Sequence, residues 1–96
     1  NNPVVLNNLA SIESATGNQK KALGYAERGY RAAPKSPALA DTWGWLLVKN
    51  GRAKDAIAPL QQAARGLPDN AEVNYHLGAA LVSVGRKQDA LKYLQR

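Results

Sequence analysis

SPALADTWGWLLVKNG, residues 36 to 51, holds both tryptophans of the chain and reads as one helix with its own start and stop signals. Ser36 is a good N-cap, because its hydroxyl can accept a hydrogen bond from a free amide of the first turn. Pro37 follows at the first helical position, where a missing N–H has no consequence. Gly51 falls where the helix would end, since glycine accepts the left-handed conformation of a C-terminal cap. At about 100° per residue, Trp43 and Trp45 would lie about 200° apart, so the two rings serve different surfaces.

The same signals recur on both sides of this helix at a step of 34 residues. That step links Gly17, Gly51 and Gly85; Asn2, Ser36 and Asn70; Pro34 and Pro68; Ala22, Ala56 and Ala90; Leu23, Ile57 and Leu91; and Leu9, Trp43 and Leu77. Columns held in one register mark an internal repeat. After each glycine comes a short polar stretch and then a second apolar period, Ala22/Leu23/Ala26, Ala56/Ile57/Leu60/Ala63 and Ala90/Leu91/Leu94, at helical spacing. The pattern predicts six helices, at 3–16 and 18–33, 37–50 and 53–66, and 71–84 and 87–96. Each repeat is a pair of antiparallel helices, and the fold is an all-α helix-pair solenoid. Pro59 sits past the first turn of the fourth helix and removes one internal hydrogen bond, so a bend or a strained first turn is expected there.

Composition agrees. The 96 residues amount to one small domain or a piece of a longer array, with 45% apolar residues, rich in alanine and leucine, and no phenylalanine. That mixture suits close helix packing better than a β sandwich. Without cysteine there is no disulfide framework or thiolate metal site, and the redox compartment stays open. No apolar run approaches the roughly 18 residues of a membrane span. Asn1-Asn2-Pro3 reads as a cut end rather than a natural start, so the chain is silent about targeting segments. The net charge of +6 permits acidic partners without identifying one.

The pattern resembles the tetratricopeptide repeat. The resemblance covers the whole chain, residues 1–96, as about 2.8 units starting at Pro3, Pro37 and Ala71, with repeats at 3–36, 37–70 and a truncated 71–96. In the second unit the family's large-small pair is Trp43-Gly44, the small residue opening the second helix is Ala56, the later pair is Leu60 and Ala63, and the closing proline is Pro68. The third unit supplies Leu77-Gly78, Ala90 and Leu94. The first departs from the pattern: Leu9-Ala10 fits, but Glu13 stands where an apolar residue is usual, and Ala26 and Gly29 are small.

The resemblance implies a right-handed superhelix whose first helices line a concave groove that takes a peptide or helix of another protein. In that register the groove residues are Val4, Asn7, Ser11 and Ser14, then Asp41, Trp45, Val48 and Lys49, then Glu72, Tyr75, Ala79, Val82 and Ser83. Trp45 and Tyr75 fall on neighbouring helices and are candidates for a shared aromatic floor; the alternative for Trp45 is simple packing. A specialised groove of this family clamps a C-terminal carboxylate with lysine, asparagine and arginine. The matching positions here are Asn7, Ser11, Thr42, Glu72 and His76, so that clamp is absent.

Lys20, Lys21, Arg52, Lys54, Arg86 and Lys87 recur at the turn inside each pair and would align along one edge of a stacked array. They form either a docking strip for acidic partners or ordinary solvated turns. Arg28, Arg31, Arg65, Lys92 and Arg96 are expected on the convex face. Nucleic acid is not indicated, because aromatic residues do not interleave with the basic ones. His76 is the one histidine, no metal-ligand pair or phosphate loop is evident, and Asn74, Asp41 and Glu72 join it only as a polar group without a nucleophile. No catalysis, cofactor, metal or small-molecule substrate is expected.

LADTWGWLLVKNGRAKDAIAPLQQAARGLPDN and VNYHLGAALVSVGRKQDALKYL are, more closely, similar to the C-terminal repeats of bacterial tetratricopeptide lipoproteins of the PEP-CTERM and exopolysaccharide type. That likeness implies a scaffold in the bacterial envelope or periplasm, with membrane attachment only through a lipid anchor outside these residues. Apolar faces at the first helix and around Leu91 and Leu94 suggest end-to-end dimerisation.

Overall fold

A computed structural model describes residues 2–95, so the expected convex-face position of Arg96 lies outside the described residues. Six helices follow one another: α1 (Pro3–Ala15), α2 (Gln19–Ala32), α3 (Pro37–Lys49), α4 (Ala53–Gly66), α5 (Ala71–Ser83) and α6 (Lys87–Leu94). All six begin and end within two residues of the boundaries expected from the repeat.

The starting signals act as their chemistry requires. Asn2 Oδ1 accepts from Val4 N at 2.9 Å, Ser36 Oγ from Leu39 N at 3.2 Å, and Asn70 Oδ1 from Val73 N at 3.0 Å. The stopping signals are equally regular. Gly17, Gly51 and Gly85 adopt φ of 89°, 77° and 83°, in the left-handed region that a side chain disfavours. The residue after each glycine then donates to a carbonyl at the end of the preceding helix: Asn18 to Glu13, Arg52 to Leu47 and Arg86 to Leu81, each at 2.8 Å. One closing geometry is thus repeated three times.

Helices pair as α1 with α2, α3 with α4 and α5 with α6, and the pairs stack through α2 on α3 and α4 on α5. The molecule is a helix-pair solenoid. Small residues set the spacing within a pair: Ala22, Ala56 and Ala90 are fully buried, and a Cβ on Gly44 would stand 2.6 Å from Leu60 Cγ. The main core joins Ala40, Leu47, Leu60, Leu77 and Leu81, with Trp43 packed against it. Between pairs, Tyr30 OH donates to Gln62 Oε1 at 2.7 Å, and Gln62 Nε2 donates to the Pro34 carbonyl at 2.6 Å.

Two expectations are sharpened. Helix α4 runs through Pro59 without interruption and buries it, so the proline neither breaks the helix nor delays its start. Glu13 is half-buried with Oε2 shielded and unpaired, at the column that holds fully buried Leu47 and Leu81 in the other repeats. Val4, Val5 and Ile12 on α1, and Leu91 and Leu94 on α6, remain exposed. Among the described residues no helix is long and apolar enough to cross a membrane.

Candidate functional site

Because α3 touches both α1 and α5, the first helices of the three pairs share one wall. A pocket of about 290 Å³ opens on it, lined by Ser11 and Ser14 from α1, Asp41, Thr42, Trp45 and Lys49 from α3, and Glu72 and His76 from α5, together with Ala10, Ala15 and Leu46. Of the groove residues expected from the repeat register, Ser11, Ser14, Asp41, Trp45, Lys49 and Glu72 meet here. Val4, Asn7, Val48, Tyr75, Ala79, Val82 and Ser83 lie outside the pocket lining. Val48 packs half-buried against the main core, while Tyr75 and Val82 are exposed. Asn7 buries an unpaired Oδ1.

A hydrogen bond and a ring stack join α3 to α5 at one end of the pocket. His76 Nδ1 lies 2.8 Å from Asp41 Oδ1, with only 8% and 13% of the two side chains exposed. Since an ionised carboxylate only accepts, the ring donates from Nδ1. The imidazole stacks on the Trp45 indole with centroids 4.1 Å apart and an interplanar angle of 15°. Tyr75 adds a third ring, 5.8 Å from Trp45 and tilted by 57°. Glu72 follows one turn before His76 on α5, and its Oε1 stands 4.0 Å from Nε2, beyond hydrogen-bond reach. At the other end, Lys49 Nζ donates weakly to Ser14 Oγ at 3.4 Å. Trp45 therefore both packs, against His76, and lines the open pocket.

One ligand atom from each of Asp41, Glu72 and His76 lies within 4.8 Å of the others. With Nδ1 engaged by Asp41 Oδ1, the donors left are Nε2, Glu72 and Asp41 Oδ2. Three donors meet the lower bound for a metal site, but the Glu72 side chain is 77% exposed, and exposed carboxylates commonly group without a metal. Among the described residues no hydroxyl is hydrogen-bonded to His76; those of Ser11 and Thr42 donate to the Asn7 and Ala38 carbonyls. Repeat spacing alone missed the Asp41–His76 bond, although the two residues are one step off register, 35 apart, on neighbouring first helices.

The six turn cations are all exposed, but the edge is less basic than a count of lysines and arginines suggests. Arg52 Nε pairs with Asp55 at 3.0 Å, and Arg86 with Asp89 at 2.9 Å, both at i,i+3. Where the second and third repeats have these pairs, the first has Asn18 and Lys21. On the second helices, Arg31 bonds Glu27 at 2.7 Å, and Arg28 lies 5.9 Å from the Tyr25 ring centre.

Stacked helix pairs presenting a continuous wall of first helices define a helical-repeat scaffold. The chain belongs to the tetratricopeptide repeat family, whose model matches residues 1–96. It is 37% identical over 51 residues to the TPR repeat-containing protein PA4667 of Pseudomonas aeruginosa, a match covering 53% of this chain and 8% of that protein. Solved structures of MamA superpose closely. MamA MSR-1 C2 gives a TM-score of 0.89 at 25% identity, covering 99% of this chain and 55% of the other. A further MamA crystal structure gives 0.84 at 16% identity, covering 98% and 51%, and shows the fold alone. The chain thus spans about half the length of the MamA chains, and a small fraction of the curated relative. The family consists chiefly of non-enzymatic protein-interaction scaffolds.

Proposed function

We propose that the chain is a non-enzymatic interaction module that receives a peptide or helix of a partner protein in the groove of α1, α3 and α5. One observation carries this reading: the stacked Trp45 and His76 rings, with Tyr75 against them, line an open pocket that also presents Asp41, Glu72 and Lys49. Aromatic side chains held by their neighbours bind a partner with little further loss of conformational freedom. The match to a bacterial TPR repeat-containing protein supports a scaffold role within a larger bacterial protein, and an envelope lipoprotein setting is part of the proposal.

Peptides selected from a random display library test the groove. Trp45→Ala should weaken those peptides at least tenfold, while reversal of Lys20, Lys21 and Lys54 to glutamate should leave them bound. The opposite pattern would assign binding to the basic edge, and indifference to both would make this segment a structural extension of a longer scaffold. The exposed apolar side chains of α1 and α6 favour end-to-end pairing of copies as well, and light scattering at rising concentration reads that directly.

A further inference from the structure

We infer that the Asp41–Glu72–His76 end of the groove receives a cationic side chain of the partner, an arginine in particular. This inference rests on the groove reading above and specifies what the groove recognises. Its starting point is the juxtaposition of an imidazole acceptor and a carboxylate at the edge of the pocket. Asp41 fixes the hydrogen of the imidazole on Nδ1, so in the neutral ring Nε2 is an acceptor. That acceptor faces the Glu72 carboxylate across 4.0 Å, and no protein group among the described residues donates to either. The His76 side chain is 8% exposed, so the ring has little freedom to turn away. The other Asp41 oxygen, Oδ2, accepts no hydrogen bond among the described residues.

A group that completes this site must carry several donors, bear positive charge and fit beside flat rings. A guanidinium does all three: its forked N–H groups can span Nε2 and the Glu72 carboxylate, and its plane suits the aromatic wall of Trp45 and Tyr75. Charge sets the direction. On a chain of net charge +6, Asp41 and Glu72 make this end locally acidic. Lys49 lies two turns along α3, about 12 Å away, and repels a cation from the other end. A metal ion would use Nε2, Glu72 and the second Asp41 oxygen, and titration with Zn²⁺ separates that occupant from a guanidinium.

The experiment uses N-acetyl-arginine methylamide as the probe, followed by NMR on isotope-labelled protein through the Trp45 indole N–H and the His76 ring nitrogens. The expected result is a saturable shift with Kd of about 1 mM or somewhat weaker. Binding should weaken at least fivefold in Glu72→Gln, whose exposed side chain can lose its charge without disturbing the helix packing. The citrulline analogue, with the same shape and no charge, should give no saturable shift.

Equal binding of citrulline, or indifference to Glu72→Gln, would overturn the inference. So would ring nitrogen shifts of an imidazolium in the free protein at pH 7.5, because the proton would already fill the gap. Saturation by Zn²⁺ at micromolar concentration with no response to the arginine probe would assign the site to a metal instead. Display-selected peptides that require Trp45 but ignore Glu72→Gln would remove this inference and leave the groove reading intact.

Discussion

His76 Nδ1 and Asp41 Oδ1 lie 2.8 Å apart across 35 residues of chain, and this bond ties α5 to α3 beside the groove. Both side chains are largely buried, so removing one partner strands the other. Asp41→Ala should therefore lower unfolding free energy by about 1–3 kcal/mol, the penalty for a buried polar group without a partner. The double variant Asp41→Ala/His76→Leu should recover most of that loss, since replacing both members by apolar groups leaves nothing unpaired. Urea unfolding of the two variants checks this, and additive losses would show that the bond contributes nothing.

Glu13 is the converse case. Its Oε2 is shielded from solvent with no hydrogen-bond partner, in the column where Leu47 and Leu81 are 0% and 1% exposed. Glu13→Leu should stabilise the protein by about 1–2 kcal/mol, through relief of an unpaired polar atom and added apolar burial. At about 4–8 °C per kcal/mol for a domain of this size, the thermal midpoint should rise measurably. A fall in the midpoint would mean that the carboxylate finds a partner in solution.

Gly44 and Gly78 occupy the same column yet should respond differently to alanine. A Cβ at Gly44 would meet Leu60 Cγ at 2.6 Å and Cδ2 at 2.8 Å, and Leu60 is fully buried with nowhere to move. Overpacking of that kind costs about 1–3 kcal/mol, against a gain of up to about 1 kcal/mol in helix propensity. A Cβ at Gly78 would meet Leu94 at 2.5 Å, but Leu94 is 43% exposed at the end of α6 and can swing outward. Gly44→Ala should destabilise and Gly78→Ala should be near neutral by thermal melting; equal effects would locate the constraint elsewhere.

These contrasts mark how far repeat spacing carries the reading. Caps and stops are local, so Asn2, Ser36, Asn70 and the three turn glycines were legible without any tertiary information. The site was legible as a face, since a 34-residue register assigns Asp41, Trp45 and Glu72 to the first helices. Its internal chemistry was not, because the Asp41–His76 bond and the Trp45–His76 stack join residues in different columns and depend on the distance between helices. The basic edge shows the same limit. A column of cations leaves out Asp55 and Asp89, which sit three residues further on and pair with an arginine in two of the three turns.

The two tryptophans can be separated spectroscopically. Trp43 packs on Tyr30 with centroids 4.9 Å apart and adjoins the main core, whereas Trp45 lines the open pocket while stacked on His76. With Trp45→Phe, the remaining Trp43 should emit at shorter wavelength and resist acrylamide. With Trp43→Phe, the remaining Trp45 should emit at longer wavelength and be quenched at least twofold more strongly, because water and quencher reach one edge of the indole through the pocket. Peptides that occupy the groove should shift and protect only the Trp45 signal. Reversal of the two spectra would place Trp43 at the groove and Trp45 in the core, against the helical faces described here.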